Sequence, residues 1–276
     1  MKMPRFTKIT ASIGPSCENE SVLRQMIMSG VNVCRINFSH DALEFQGKKI
    51  DSVRRISDEL GVMIGILVDL QGPKHRIGNF QTEEKYTINP GQKFTFDSNP
   101  APGNSGRVCL PHPDVLASLK VGERILLNDG KIEMQVTSVA PDAVETKVIR
   151  GHEIWSRRGF NVPDTDIDSP ILTDKDKKDL EYALTKNPDW VAVSFVQTPE
   201  DIAAVRDFIT ERVSIPIKIM AKIERKNAVE KISDIAAAAD GIMIARGDLA
   251  IELPFEQVPA ISRHIIRECR RTRGRL

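Results

Sequence analysis

The sequence has little that would tie it to an oxidising compartment. Its four cysteines, Cys17, Cys34, Cys109 and Cys269, lie far apart and form no CxxC pair. With no signal peptide in view, they read as reduced thiols, and a cytoplasmic location is the expectation. Cys34 sits within an apolar run and is expected in the core. The five histidines show no metal-ligand spacing. No charge of one sign is in surplus: 39 basic residues stand against 38 acidic ones, so no global field favours nucleic acid or a membrane surface. No apolar run approaches the roughly 18 residues of a membrane span. No GxGxxG fingerprint is present either.

What is there is an alternation. A chain of 276 residues can bury a large core and hold two domains. Strands are expected at Thr7–Ile13, Val31–Ile36 and Val62–Val68, with helices at Glu20–Met28 and Leu43–Leu60, each closed by a glycine, Gly30 and Gly61. From about Gly78 to Arg158 the rhythm becomes short alternating runs and turn signals, such as Asn89-Pro90-Gly91 and Asn128-Asp129-Gly130, which predicts a small all-β insert. Alternation then resumes: helix Thr173–Thr185 with Thr173 as cap, strand Trp190–Ser194, helix Glu200–Val213, strand Ile217–Ile223, helix Ala228–Ala239, strand Gly241–Ala245 and helix Phe255–Arg271.

Six β/α units with right-handed crossovers fit either a (β/α)8 barrel or an open doubly wound sheet. The polar residues favour the barrel. Arg35, Asn37 and Ser39 follow the second strand, Asp69 the third and Ser194 the fourth; Lys222 and Glu224 end the fifth, and Arg246 and Asp248 the sixth. One site fed by so many strand ends is what a barrel mouth provides. Lys222 and Glu224 are two apart on a strand and so share a side. An ammonium and two carboxylates there could hold a divalent cation beside an anionic substrate. A structural salt bridge at a strand end is the competing reading.

Several stretches together resemble the pyruvate kinase family: Thr7-Lys8-Ile9-Thr10-Ala11-Ser12-Ile13-Gly14-Pro15, Gly30 to His40, Asp69-Leu70-Gln71-Gly72-Pro73-Lys74, Asn128-Asp129-Gly130, Arg158-Gly159-Phe160-Asn161-Val162-Pro163, Lys222-Ile223-Glu224 and Ala245-Arg246-Gly247-Asp248-Leu249. Their order and the place of the insert make the resemblance specific from about Thr7 to Arg271. It implies an incomplete (β/α)8 TIM barrel of six units with a lid domain inserted after the third strand. Residues 1–77 and 159–276 would form the barrel and 78–158 the lid.

The implied reaction moves a phosphoryl group from phosphoenolpyruvate to ADP, giving pyruvate and ATP, the last step of glycolysis. Glu224 and Asp248 would hold Mg²⁺, with Mn²⁺ as a substitute, since hard cations suit carboxylates. Lys222 and Arg35 would be the catalytic pair. Arg35, Ser194, Gly247 and Asp248 would bind substrate, and Arg76, Arg158 and Asn37 would bind nucleotide. The family usually has lysine where Arg158 stands.

Asn37, Ser39 and Asp69 match the monovalent-cation ligands of potassium-dependent members. Leu70, however, replaces a threonine ligand, and Lys74 stands where those members carry glutamate. Together with Gln71 and Ile77, this resembles the potassium-independent subgroup, with the Lys74 ammonium replacing K⁺. A solvated lysine at the lid hinge is the alternative. His75, where the family favours an apolar residue, is expected at the hinge surface.

The family's last two barrel units and its C-terminal domain have no counterpart here, and the basic tail Thr272-Arg273-Gly274-Arg275-Leu276 diverges. The expectation is therefore a truncated chain with two open strand edges, aggregation-prone or partly unfolded unless it self-associates across them. Homo-oligomers are expected of the intact family. A non-catalytic fragment of the family and a Mg²⁺–enolate barrel lyase are the alternatives. The nucleotide-clamping lid argues against the lyase.

Overall fold

The computed structural model describes residues 6–39, 42–165, 167 and 169–273. His40 of the second motif and Gly274-Arg275-Leu276 of the tail lie outside the described residues. The first three barrel strands are β1 (Thr10–Ser12), β2 (Val33–Asn37) and β3 (Gly65–Asp69). Seven strands follow within the expected lid, β4 (Tyr86–Thr87), β5 (Lys93–Asp97), β6 (Arg107–Cys109), β7 (Arg124–Leu127), β8 (Ile132–Ala140), β9 (Ala143–Arg150) and β10 (Glu153–Ile154), and β11 (Phe160–Asn161), just past residue 158, pairs with β7 of the lid. The barrel resumes with β12 (Trp190–Val193), β13 (Lys218–Ile223) and β14 (Gly241–Ile244).

The barrel strands form one parallel sheet in the order β1-β2-β3-β12-β13-β14. Because β1 and β14 do not pair with each other, the arc is an incomplete barrel. The register Asn37↔Asp69↔Ala192 brings the ends of β2, β3 and β12 level, so their last side chains open on one rim. Interior strand β12 is buried from Val191 to Val193, whereas edge strand β14 is half-buried throughout. Continuous burial is what a parallel strand covered on both faces requires.

Local chemistry sets the helix boundaries. In α1 (Glu20–Met28), the Asn19 side chain accepts from the Ser21 N–H. Helix α2 (Leu43–Leu60) stops at Gly61, whose φ of 62° a β-carbon would oppose. Thr173 and Asp176 close a capping box on α4 (Asp174–Leu184), and Thr198 and Asp201 do the same for α5 (Pro199–Thr210). These helices lay Leu23, Ile50, Val53, Leu180 and Val205 against the sheet, in one core with Cys34. Cys34 is fully buried, and burial, followed by the neighbouring Cys17, pushes its thiol up to about 11.

The lid has a second core around Phe94, Phe96, Met134, Val144 and Phe160. Its main sheet runs β11-β7-β8-β9-β5-β6, antiparallel except for the β5–β6 pair. The lid also contains one short helix, α3 (Pro113–Ser118), which begins on a proline at its first position. Six residues are too few to show a helical period.

Three further details differ from expectation. The helix expected at Ala228–Ala239 is two, α6 (Lys226–Glu230) and α7 (Ile232–Ala238), broken where Lys231 leaves helical geometry at φ −100° and ψ 17°. Arg246-Gly247-Asp248, expected at the end of the sixth strand, forms the first turn of α8 (Arg246–Glu252), ahead of α9 (Val258–Arg273). Finally, His75 is not on the hinge surface. It is only 9% exposed, and its ring meets that of His112 edge-on with centroids 4.7 Å apart. Burial pulls its pKa down to about 4, and the neighbouring His112 adds to the shift.

The lid joins the barrel through two adjacent crossings. Arg76 and Gly159 form an antiparallel bridge, Ile77 N–H donates to Arg158 O at 3.0 Å, and Phe160 N–H donates to His75 O at 3.0 Å. Where the first crossing leaves the barrel, Gly72 N–H donates to the buried Asp176 Oδ1 at 3.0 Å.

Candidate active site

The rim of the sheet carries a polar cavity of about 180 Å³. Arg35, Asn37, Ser39, Lys74, Arg76, Ser194, Lys222, Glu224 and Asp248, each singled out from the sequence, line it.

Lys222 is its centre. The side chain is 12% exposed, and Nζ lies 3.1 Å from Asp69 Oδ1 and 3.1 Å from Glu224 Oε1. Nζ also donates to Ser194 Oγ at 2.7 Å. Ser194 in turn donates to Leu70 O at 2.7 Å, so its hydroxyl is oriented with a lone pair toward the lysine. Burial pulls Lys222 toward the neutral form, but Glu224 and Asp69 outweigh it and hold the group as an ammonium above its ordinary value.

Asp69 is 1% exposed and also faces Arg35, whose Nε donates to Oδ2 at 2.6 Å. Arg35 Nη1 reaches Ser12 Oγ at 2.7 Å, which ties β1, β2 and β3 together at their ends. Arg35 is held rigidly and remains partly exposed to the cavity.

Glu224 is buried, and its Oε2 accepts the Phe195 N–H at 2.8 Å. Phe195 has a φ of 59°, a left-handed conformation uncommon for an aromatic residue, and this turns its amide onto the carboxylate. Burial pushes the Glu224 carboxyl up; Lys222 opposes the shift and Asp248 adds to it. Two carboxylates, Glu224 and Asp248, on one cavity wall fit a divalent cation. Two is also within the number that Mg²⁺ takes from a protein, where substrate oxygens and water complete the shell. Among the described residues no group of three or more His, Cys, Asp or Glu side chains is arranged to hold a metal.

The remaining expected residues are not all in the cavity. Gly247 stands exposed at the start of α8, and a β-carbon on it would meet nothing within 4 Å, so the backbone there is open to approach. Arg246 is exposed and does not line the cavity. Arg158 is turned away: its guanidinium stacks over Trp155 at 4.8 Å and its Nε donates to Ser156 O at 3.2 Å. Arg76 lines the cavity and donates from Nη1 to Arg157 O at 3.0 Å. Asn37 Oδ1 accepts the Ser39 N–H at 3.0 Å, shaping the turn after β2. Lys74 reaches the same wall, its stem passing Gly159, where a β-carbon would lie 3.6 Å from Lys74 Cε. Sequence reasoning missed the Phe195 amide, since no residue type announces a main-chain donor.

Known proteins resemble this chain along nearly its whole length. Residues 4–275 match the family described as pyruvate kinase, barrel domain. The chain is 43% identical over 271 residues to a pyruvate kinase of Methylorubrum extorquens, covering 98% of this chain and 56% of that protein. It is 38% identical over 267 residues to a pyruvate kinase of Agrobacterium vitis, covering 96% of this chain and 55% of the relative. A crystal structure of a pyruvate kinase from Cryptosporidium parvum superposes with a TM-score of 0.90 at 33% identity, over 95% of this chain and 55% of that one. The chain thus spans about half the length of the relatives it matches.

Proposed function

Since the chain belongs to the pyruvate kinase family through its barrel domain, we propose that its cavity is built for phosphoryl transfer from phosphoenolpyruvate to ADP, yielding pyruvate and ATP in the cytoplasm. The observation that carries this reading is the position of Lys222 Nζ, within hydrogen-bonding or ion-pair reach of Asp69, Glu224 and Ser194 in a cavity shared with Arg35 and Asp248. Phosphoryl transfer needs positioning and charge neutralisation more than covalent help.

Lys222 would place its ammonium against the transferring phosphoryl group and the enolate oxygen that develops. Arg35, fixed by Asp69 and Ser12, would grip the phosphoryl oxygens. Ser194 would keep Lys222 aimed. The open N–H groups at Gly247 and Asp248 would take the substrate carboxylate. Arg76 and Asn37, and Arg158 once it leaves Trp155, would take the nucleotide. Glu224 and Asp248 would hold Mg²⁺ or Mn²⁺, which when bound neutralises charge on the substrate's oxygens. The lid, taken as 78–158 between barrel segments 1–77 and 159–276, would exclude water.

Lys74, beside Asn37 and Ser39, would serve as the internal cation in place of K⁺. Assay of an intact relative bearing these residues in sodium-free, potassium-free buffer should show full activity. Strong activation by K⁺ would refute this. Homo-oligomeric assembly is proposed for the intact protein on family membership alone.

The main reading is tested by a coupled assay for pyruvate with ADP, phosphoenolpyruvate and Mg²⁺. Pyruvate formation that is lost in Lys222→Gln supports it. Binding without turnover is the second reading, favoured by the turned-away Arg158. Calorimetric binding of both substrates with no pyruvate formed would select it.

A further inference from the structure

Two imidazoles, one buried and one half-buried, meet where the first crossing enters the lid, and neither lines the catalytic cavity. His75 belongs to the crossing, just ahead of Arg76. His112 belongs to the lid and immediately precedes α3. His112 also reaches the main chain of the crossing: its Nε2 accepts the Arg76 N–H at 3.3 Å. The next two amides of the crossing bind carbonyls instead, Ile77 N–H to Arg158 O at 3.0 Å and Gly78 N–H to Cys109 O at 2.7 Å.

The difference in acceptor matters. A carbonyl accepts an N–H at any ordinary pH. A ring nitrogen accepts one only through its lone pair, so Nε2 is unprotonated in this bond and the ring proton lies on Nδ1. A proton added to Nε2 sets N–H against N–H, and the bond is lost. The charged groups facing the pair are Asp114 from α3 and Arg225 after β13. Burial draws both rings below the ordinary 6.5, His75 to about 4. His112 and Arg225 add to the His75 shift, and Asp114 opposes the shift at both rings. The folded crossing therefore favours neutral rings, and its release takes up a proton.

We infer that His112 is a positioning residue: its neutral imidazole fastens the Arg76 main chain to the lid, and acid undoes the fastening. The consequence falls on the catalytic cavity, which the Arg76 side chain lines while its Nη1 donates to Arg157 O at 3.0 Å. Only that consequence rests on the nucleotide role proposed for Arg76; the fastening itself is tested without substrate. Release should begin as pH falls below about 6.5 and grow by up to about tenfold per pH unit for one proton.

The test is amide hydrogen exchange of the full chain by nuclear magnetic resonance, from about pH 7.5 to about pH 5, with rates divided by their intrinsic values. Protection of the Arg76 amide should fall below about pH 6.5, while Ile50 and Val53 of α2 stay more protected at every pH, which marks the opening as local. His112→Gln, whose side-chain carbonyl can accept the same N–H without titrating, should keep the protection and abolish its pH dependence. His112→Ala should lower protection about tenfold at neutral pH. The inference is overturned if Arg76 protection does not fall, if it falls equally in His112→Gln, or if Arg76 exchanges as slowly as Ile50 and Val53. Should the variants fail to fold, the ring-nitrogen shifts of His112 in the unaltered chain decide: an unprotonated Nε2 at neutral pH supports the fastening, and a protonated one overturns it.

Discussion

Gly72→Ala tests whether the exit of the lid and the seat of Lys222 are one packed unit. Gly72 has a φ of 69°, and a β-carbon there would lie 2.8 Å from Ser194 Cβ, 3.0 Å from Phe195 Cδ2 and 3.2 Å from Ser194 O. None of these is the free end of a flexible chain, so the backbone of residues 194 and 195 must move. The left-handed conformation alone costs alanine about 1 kcal/mol, and overpacking adds about 1–3 kcal/mol. The expected loss is about 2–4 kcal/mol. Gly61→Ala is the control: its φ is 62°, but nothing lies within 4 Å of the added carbon, so only the conformational term of about 1 kcal/mol applies. Urea melts of the two variants, followed by circular dichroism, isolate the packing term as the difference in midpoint at constant slope. Thermally, Gly72→Ala should melt roughly 5–10 °C below the parent. If it is no less stable than Gly61→Ala, the tight contact with Ser194 and Phe195 is wrong, and so is the argument that the lid exit positions Lys222.

Three other outcomes are expected. Asp176→Ala removes the acceptor of Gly72 N–H and of the Thr173 hydroxyl and N–H, and should cost about 2–4 kcal/mol in a urea melt; Asp176→Asn, which keeps one acceptor, should cost less. The depressed pKa of His75 means that the unfolded chain binds a proton the folded chain refuses. Stability should therefore fall as pH drops from about 6.5 toward about 4, by on the order of 3 kcal/mol in total, and His75→Gln should flatten that slope in pH-dependent melts. Asp248→Asn should weaken Mn²⁺ binding at least about tenfold by electron paramagnetic resonance, whereas Asp164→Asn, outside the catalytic cavity, should leave it unchanged.

The sequence exposes those features that rest on local chemistry. Helix α2 is legible to its last residue because an apolar period ends on Gly61, and α4 because Thr173 and Asp176 cap it. The pairing of Lys222 with Glu224 follows from strand alternation. What could not be read is decided by contacts between distant segments. The Phe195 amide reaches Glu224 only because the backbone turns left-handed there. Arg158 lies on Trp155 rather than in the cavity, a choice made by stacking. His75 is buried against His112, a lid residue distant in sequence. Helix α8 is hidden by a glycine in a first turn too short to show a period.

The two chain crossings that carry the lid are laced together at Arg76 and Gly159, with amide links on either side. A pair of strands joined this way behaves like a strip of spring steel: it flexes readily across its flat face and strongly resists sliding edgeways. The lid is therefore mounted on one leaf spring rather than two separate pins. The two crossings therefore resist shear as one strip, and its barrel end is fixed where the Gly72 N–H meets Asp176.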